Sequence, residues 1–182
     1  MRNFLRRFGW VLLALLFVVT ALAGGVYAFF QNSGGSSGQS NGYTTCPSKS
    51  VTAKQSKING KVQGAQLAGF TPIAHVGYLQ CWDLKTGTGA TATPTSTVTA
   101  TYTGAVASTG KIFQSSLDSG QPFTAKLDSG VIQGWSAGVP GMKVGGTRRL
   151  LIPAQYAYGP QGGPGIPPNS DLVFDITLLA VK

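Results

Sequence analysis

The chain has 182 residues, 42% hydrophobic and 10% charged, which allows one domain of ordinary size with tails and excludes two full domains. It contains no glutamate and one histidine, so paired-carboxylate chemistry and histidine-rich metal sites are poorly supplied. The net charge of +9 is carried mostly by Arg2, Arg6, Arg7, Lys49, Lys54, Lys57 and Lys61; from residue 80 onward the charges nearly balance and form no basic stripe, which argues against nucleic acid.

Residues 8–30, FGWVLLALLFVVTALAGGVYAFF, carry no charge, and roughly 20 apolar residues suffice to cross a bilayer core. Three arginines precede this run and no basic residue follows until Lys49. The positive-inside rule then puts the N-terminus in the cytoplasm and the rest outside. Ala21-Leu22-Ala23 also fits a small-x-small cleavage site, so a cleaved signal peptide followed by secretion is the competing reading. Apolar character persisting to Phe30 favours a retained single span. Residues 31–45, QNSGGSSGQSNGYTT, read as a flexible tether.

Residues 46–79 read as a polar N-terminal extension, ordered only in part. A weak apolar pattern through Leu67, Phe70, Ile73, Val76, Tyr78, Leu79 and Trp82 suggests short strands or turns packed beside the main domain. The two cysteines, Cys46 and Cys81, are disulfide candidates: an extracytoplasmic compartment favours a bridge over two unpaired buried thiols.

From residue 97 the strand signals strengthen. TVTATYTGAV alternates, with Val98, Ala100, Tyr102 and Gly104 on one face. KIFQSS, PFTAKL, TRRLLIPA and SDLVFDITLLAV follow as further strands. VIQGWSAGVPGM is the one reasonable helix after residue 30, kept short by its glycines and Pro140, with Trp135 supplying much of its buried surface. Strands in series with one short helix predict an α+β fold, an antiparallel sheet packed on a helix.

Reactive chemistry is sparse. His75 lies among apolar residues without a positioned partner. Asp171 and Asp175 are most simply a turn contact or part of a solvated sheet face. Gly87-Thr-Gly89 echoes a dinucleotide turn but stands outside any strand-turn-helix unit. No metal or cofactor is expected. Aromatic side chains remain, and these commonly form cores.

Seven segments nevertheless recur together in a known order: YTG (102–104), GKIFQSS (110–116), QPF (121–123), VIQGW (131–135), GMKVGGTRRLLIP (141–153), YAYG (156–159) and GIPPNSDLVFDITLL (165–179). With them, residues 80–182 strongly resemble an FKBP-type peptidyl-prolyl cis-trans isomerase domain; the stretch before residue 80 has no assigned counterpart. The resemblance implies an antiparallel sheet half-wrapped around the short helix, and an apolar pocket for a proline ring. It implies Trp135 as the pocket floor and Tyr102, Phe113, Phe123, Val131, Ile132, Tyr158, Ile166 and Phe174 as its walls. The Ile132 N–H and the Tyr158 phenol would donate hydrogen bonds to substrate carbonyls, and the turn-rich loop after Tyr158 would form a rim. Proline-containing polypeptides, macrolide inhibitors and a monomeric state are the implied partners and assembly, with the membrane added through residues 8–30 if these are retained.

The chain departs from the family pattern at several positions. Gln114 stands where active members usually have aspartate, and Ser119 where its arginine partner is usual; both halves of one ion pair are replaced together. Gln133, Ala125 and Gly163 replace a commonly basic residue, a larger residue and a histidine. These changes put catalytic rate, drug binding and substrate preference in question while leaving Trp135 and Tyr158 in place.

Overall fold

Six strands and one short helix order residues 80–182 in the computed structural model, which describes residues 46–51 and 53–182. The expected anchor or signal segment at 8–30 and the tether at 31–45 lie outside the described residues. Among the described residues, no helix is long and apolar enough to cross a membrane.

The strands are β1 (Gln80–Lys85), β2 (Thr97–Val106), β3 (Ile112–Ser115), β4 (Phe123–Lys126), β5 (Thr147–Ile152) and β6 (Leu172–Val181), with helix α1 at Gln133–Gly138 between β4 and β5. All strand pairs are antiparallel and the order is β1-β5-β6-β2-β3. The N-terminal half of β2 pairs with β4 and its C-terminal half with β3. These two short strands thus form one edge, interrupted by the loop at 116–122. Register shifts at Thr99/Ala100 and at Gly104/Ala105 bend β2 and raise its twist, so the sheet curls around α1 as expected.

Alternation sorts each strand between two faces. Val98, Ala100, Leu150, Ile152, Leu172, Phe174, Ile176 and Leu178 meet Trp135 and Val139 of the helix region in the main core. The helix lies close because its glycines face β5: a Cβ on Gly134 would stand 2.4 Å from Ile152 Cγ2, and one on Gly138 would stand 2.8 Å from Leu150 Cδ1. The glycines that shorten the helix in the sequence reading therefore also set its distance from the sheet.

The opposite face is covered too. Ala105, Leu151 and Val173 form a second buried cluster with Val62, Ala65, Leu67 and Val76 of the N-terminal extension. That extension, read from the sequence as ordered in part, contributes no strand before β1 among the described residues; isolated bridges Gln66–Lys111 and Ser48–Asp83 register it against the domain. Burying each of its Val and Leu side chains is worth about 1.5–3 kcal/mol relative to exposure. A Cys46–Cys81 disulfide, with Cα atoms 5.2 Å apart, ties its start to β1.

The two adjacent arginines of β5 divide between the faces. Arg148 donates to the carbonyls of Gly138 (2.9 Å) and Pro140 (3.2 Å) at the end of α1 and pairs with Asp83 of β1 (2.7 Å). Arg149 points to the other face and pairs with Asp175.

Candidate active site

The site is built where β2, the β3–β4 edge, the start of α1 and the loop before β6 converge. Tyr102, Gln114, Phe123, Ser129, Gly130, Val131, Ile132, Trp135, Tyr158 and Phe174 line an open cavity of about 420 Å³. Trp135 is 4% exposed and meets three aromatic rings edge to face: Tyr102 at 5.6 Å, Phe174 at 5.6 Å and Phe123 at 6.0 Å between centroids. Interplanar angles of 86–89° set ring edges against the indole, the arrangement that ring quadrupoles favour. Tyr102 closes the cage against Phe123 at 5.8 Å. Tyr102 is the inward position of β2 that lines the box.

Glycine makes the box possible at one point. A Cβ on Gly104 would stand 2.6 Å from Phe174 Cε1 and 2.7 Å from Phe113 Cζ. Without it, Phe113 and Phe174 pack edge to face at 5.7 Å over the bare backbone, and Phe174 is held against Trp135.

Eight of the ten residues expected at the site line the cavity: Tyr102, Gln114, Phe123, Val131, Ile132, Trp135, Tyr158 and Phe174. Phe113 and Ile166 do not. Both are 6% exposed and belong to the main core, where Phe113 packs edge to face on the cavity residue Phe174. Ser129 and Gly130 are additions, part of the turn that leads from β4 to α1. There the Gly130 N–H donates to the Lys126 carbonyl (2.8 Å) and Lys126 pairs with Asp128 (3.0 Å). The only sequence signal for them is the Asp128-Ser129-Gly130 turn composition.

Two donors accompany the aromatic rings of the lining. Ile132 is the N-cap residue of α1; its carbonyl accepts the Trp135 N–H, and its own N–H has no acceptor among the described residues. The Tyr158 side chain is 39% exposed at the mouth. Partial burial raises the Tyr102 phenol above its usual pKa, and the nearby Tyr158 adds to the rise.

The loop carrying Tyr158 is fixed internally. Two short 3-10 turns, Ala154–Tyr156 and Gly159–Gln161, precede a tight pair of bonds in which the Gly163 and Ile166 N–H groups donate to each other's carbonyls at 2.9 and 2.8 Å. Gly162 takes a φ of 65°, and a Cβ there would meet the Ile166 carbonyl at 2.5 Å. The Asp171 carboxylate accepts the Ala154 N–H (2.8 Å) and the Val76 N–H (2.6 Å) and meets His75 Nδ1 at 3.0 Å. Asp171 is therefore the turn contact that the sequence suggested, and His75 lies outside the cavity.

Gln114 and Ser119 have separate surroundings. Gln114 is exposed on the cavity wall, and its side chain has no hydrogen-bond partner among the described residues. Ser119 Oγ closes its own loop, donating to the Ser116 carbonyl (3.0 Å) and accepting the Gln121 N–H (3.3 Å).

Comparison with known proteins accounts for this architecture. Residues 89–179 match the model of the family described as FKBP-type peptidyl-prolyl cis-trans isomerase. Over 101 residues the chain is 52% identical to FK506-binding protein 4 of Neurospora crassa, covering 55% of this chain and 21% of the relative. Over 74 residues it is 57% identical to a peptidyl-prolyl cis-trans isomerase of Saccharomyces cerevisiae, covering 40% of this chain and 18% of that protein. The chain thus spans about a fifth of the length of these curated relatives. Among solved structures, FkpA of Escherichia coli superposes with a TM-score of 0.53 at 43% identity, over 57% of this chain and 48% of that one. AtFKBP13 superposes with a TM-score of 0.52 at 36% identity, over 57% of this chain and 93% of that one. The matched segment carries every cavity-lining residue named above, and the chain belongs to the FKBP-type peptidyl-prolyl cis-trans isomerase family.

Proposed function

We propose that this chain isomerises X-Pro peptide bonds of exported proteins, working outside the cytoplasm on a single N-terminal span. The observation that carries the catalytic part is the open cavity floored by Trp135 and walled by Tyr102, Phe123, Val131, Ile132 and Phe174, with room for a five-membered ring. The apolar run at 8–30 and its arginine flank support the location.

Rotation about a prolyl amide passes a twisted state about 18–20 kcal/mol up and takes tens to hundreds of seconds unaided. Twisting ends the amide resonance and reduces charge separation between carbonyl and nitrogen. A cavity that excludes water penalises the twisted amide less than the planar one, and requires no nucleophile or base. The Ile132 N–H and the Tyr158 phenol hold flanking carbonyls in the turn geometry that the twist requires. Interactions stronger in the twisted state than in the planar one lower the barrier, and a thousandfold acceleration asks for about 4 kcal/mol.

Purified residues 46–182 should accelerate relaxation of a cis-proline peptide, and Trp135→Leu or Tyr158→Phe should reduce that acceleration. A domain that leaves relaxation unchanged at micromolar concentration removes the enzymatic reading. A second reading, a proline-binding module with little turnover, is favoured by the unpartnered Gln114 and the loop-bound Ser119. It requires Gln114→Asp with Ser119→Arg to switch on isomerisation while leaving peptide affinity the same. Location is tested separately, by carbonate extraction of membranes and by N-terminal sequencing of the mature protein.

A further inference from the structure

A second cavity of about 500 Å³ opens beside the aromatic one and shares Tyr102, Gln114 and Phe123 with it. One wall is the β3–β4 loop, through Ser119, Gln121 and Pro122; the other is Lys61 and Gln63 of the extension that covers the sheet. We propose that this groove is a substrate subsite. It takes the extended chain flanking the proline and favours an acidic side chain beside Lys61. This inference rests on the isomerase reading for the identity of the occupant.

The wall made by the extension is fixed rather than draped. Asn59 and Gly60 take φ values of 50° and 80°, the two-residue hairpin geometry that Asn-Gly favours, and place Lys61 at a bridge with Ile58. The Asp118 carboxylate of the β3–β4 loop then accepts the N–H groups of Val62 (2.6 Å) and Gln63 (3.0 Å). Gln63 Nε2 donates to the Phe113 carbonyl (2.9 Å), and Gly64 and Ala65 exchange bonds with Ile112 at 2.9 Å. The extension is therefore tied at both ends of β3, which holds the groove wall before any ligand arrives.

Its chemistry matches a peptide backbone. The Gln114 and Gln121 carboxamides line it without hydrogen-bond partners among the described residues, and each offers both a donor and an acceptor, as an extended chain requires. Lys61 has no ion-pair partner among the described residues; Asp118 also lines the groove and keeps its charge, but its two oxygens face the Val62 and Gln63 N–H groups, so the acidic preference belongs to the Lys61 end. Shared walls let a proline in the aromatic cavity continue directly into this groove.

The test compares a four-residue proline peptide with a ten-residue one carrying aspartate near the proline, on residues 46–182. The longer peptide should show a KM about five- to tenfold lower, the effect of one or two hydrogen bonds. Lys61→Ala and Gln121→Ala should bring the ratio of long to short towards one, and replacing the peptide aspartate with lysine should erase the Lys61 effect. Equal KM for both lengths, or variants that change both peptides in the same proportion, overturn the groove. Turnover of the short peptide reports on the isomerase reading by itself. If turnover is absent, fluorescence anisotropy with the same two peptides still decides the groove: tighter binding of the longer one supports it, and equal binding removes it.

Discussion

Arg149 grips the Asp175 carboxylate with two parallel bonds, Nε to Oδ1 at 2.6 Å and Nη2 to Oδ2 at 2.7 Å, on the sheet face turned away from the helix. The same guanidinium donates to the carbonyls of Gly69 (2.6 Å) and Ala68 (2.9 Å) and lies 5.5 Å from the centre of the Phe70 ring. Four of its five N–H donors are thus divided between a neighbouring strand and the segment that covers the sheet. A planar fork can serve both at once; the ammonium of lysine, a point charge with three donors, cannot reproduce it.

Arg149→Met should therefore destabilise the domain by about 3 kcal/mol, since it leaves a largely buried carboxylate and two carbonyls without donors. Arg149→Lys should recover only part of that loss, and Arg149→Met with Asp175→Leu should cost less than Arg149→Met alone. Urea unfolding measures all three. Hydrogen exchange across residues 62–70 should rise in the single variant. A loss below about 1 kcal/mol would place the pair among ordinary surface ion pairs and remove its role as a latch.

The Cys46–Cys81 bridge closes a separation of 35 residues, for which chain entropy gives about 3–4 kcal/mol. Reduction, or Cys46→Ser with Cys81→Ser, should lower the unfolding free energy by that amount. Prolyl-peptide turnover should hold wherever the protein remains folded, because β1 is at the end of the sheet order opposite β3 and contributes nothing to the aromatic cavity. An unchanged urea midpoint on reduction would contradict the entropic account. A proportionate loss of turnover in fully folded protein would show that the bridge reaches the site.

The sheet and its aromatic box are legible in the sequence because both rest on strong local patterns. Alternation along TVTATYTGAV assigns Tyr102 to the core face, and a single tryptophan in a short glycine-rich helix has nowhere else to go. The covering extension is harder to read. Val62, Leu67 and Val76 follow neither a helical nor a strand period, and they cluster with residues of strands distant in sequence. The complementary signal lies in β5 and β6, where Leu150, Leu151 and Ile152, and Leu172, Val173 and Phe174, run apolar without alternation, as strands buried on both faces do. Family position assigns Phe113 to the cavity wall; its edge-to-face packing with Phe174 over the bare backbone of Gly104 is a relation no spacing encodes. Asn59-Gly60 is a readable hairpin turn, but its value as one wall of a groove depends on Asp118, more than fifty residues away in the chain.

Gly134→Ala sets two effects against each other. Alanine is the better helix former by about 1 kcal/mol. Its methyl group would stand 2.4 Å from Ile152 Cγ2 and 2.6 Å from Cδ1, in a core where overpacking costs about 1–3 kcal/mol. Ile152 is fully buried and the helix rests directly on β5, so neither side can yield cheaply. Net destabilisation of about 1–2 kcal/mol is expected, with weaker prolyl-peptide binding as Trp135 shifts. Ile152→Val should recover part of both losses by removing a methylene from the contact. A stabilised Gly134→Ala protein would mean that the close approach of helix and sheet is not what keeps glycine at this position.

The half-buried Tyr102 phenol gives the domain an alkaline dependence of known sign. At neutral pH both the folded and unfolded chains hold its proton, and it contributes no slope. Above the ordinary phenol pKa of 10.0 the unfolded chain releases the proton first, because burial and the nearby Tyr158 raise the folded value. The folded state then binds more protons, so stability falls as pH rises through the folded pKa. Urea midpoints measured from pH about 9 to about 11 should decline less steeply in Tyr102→Phe than in the parent, with the two curves parallel below the phenol range. The phenolate absorbance lost in the variant should titrate above the ordinary range, and a proline peptide filling the cavity should move it higher by excluding more water. Parallel decline of the two proteins at all pH values would show Tyr102 to be well hydrated, and with it the aromatic cavity whose dryness the proposed catalysis requires.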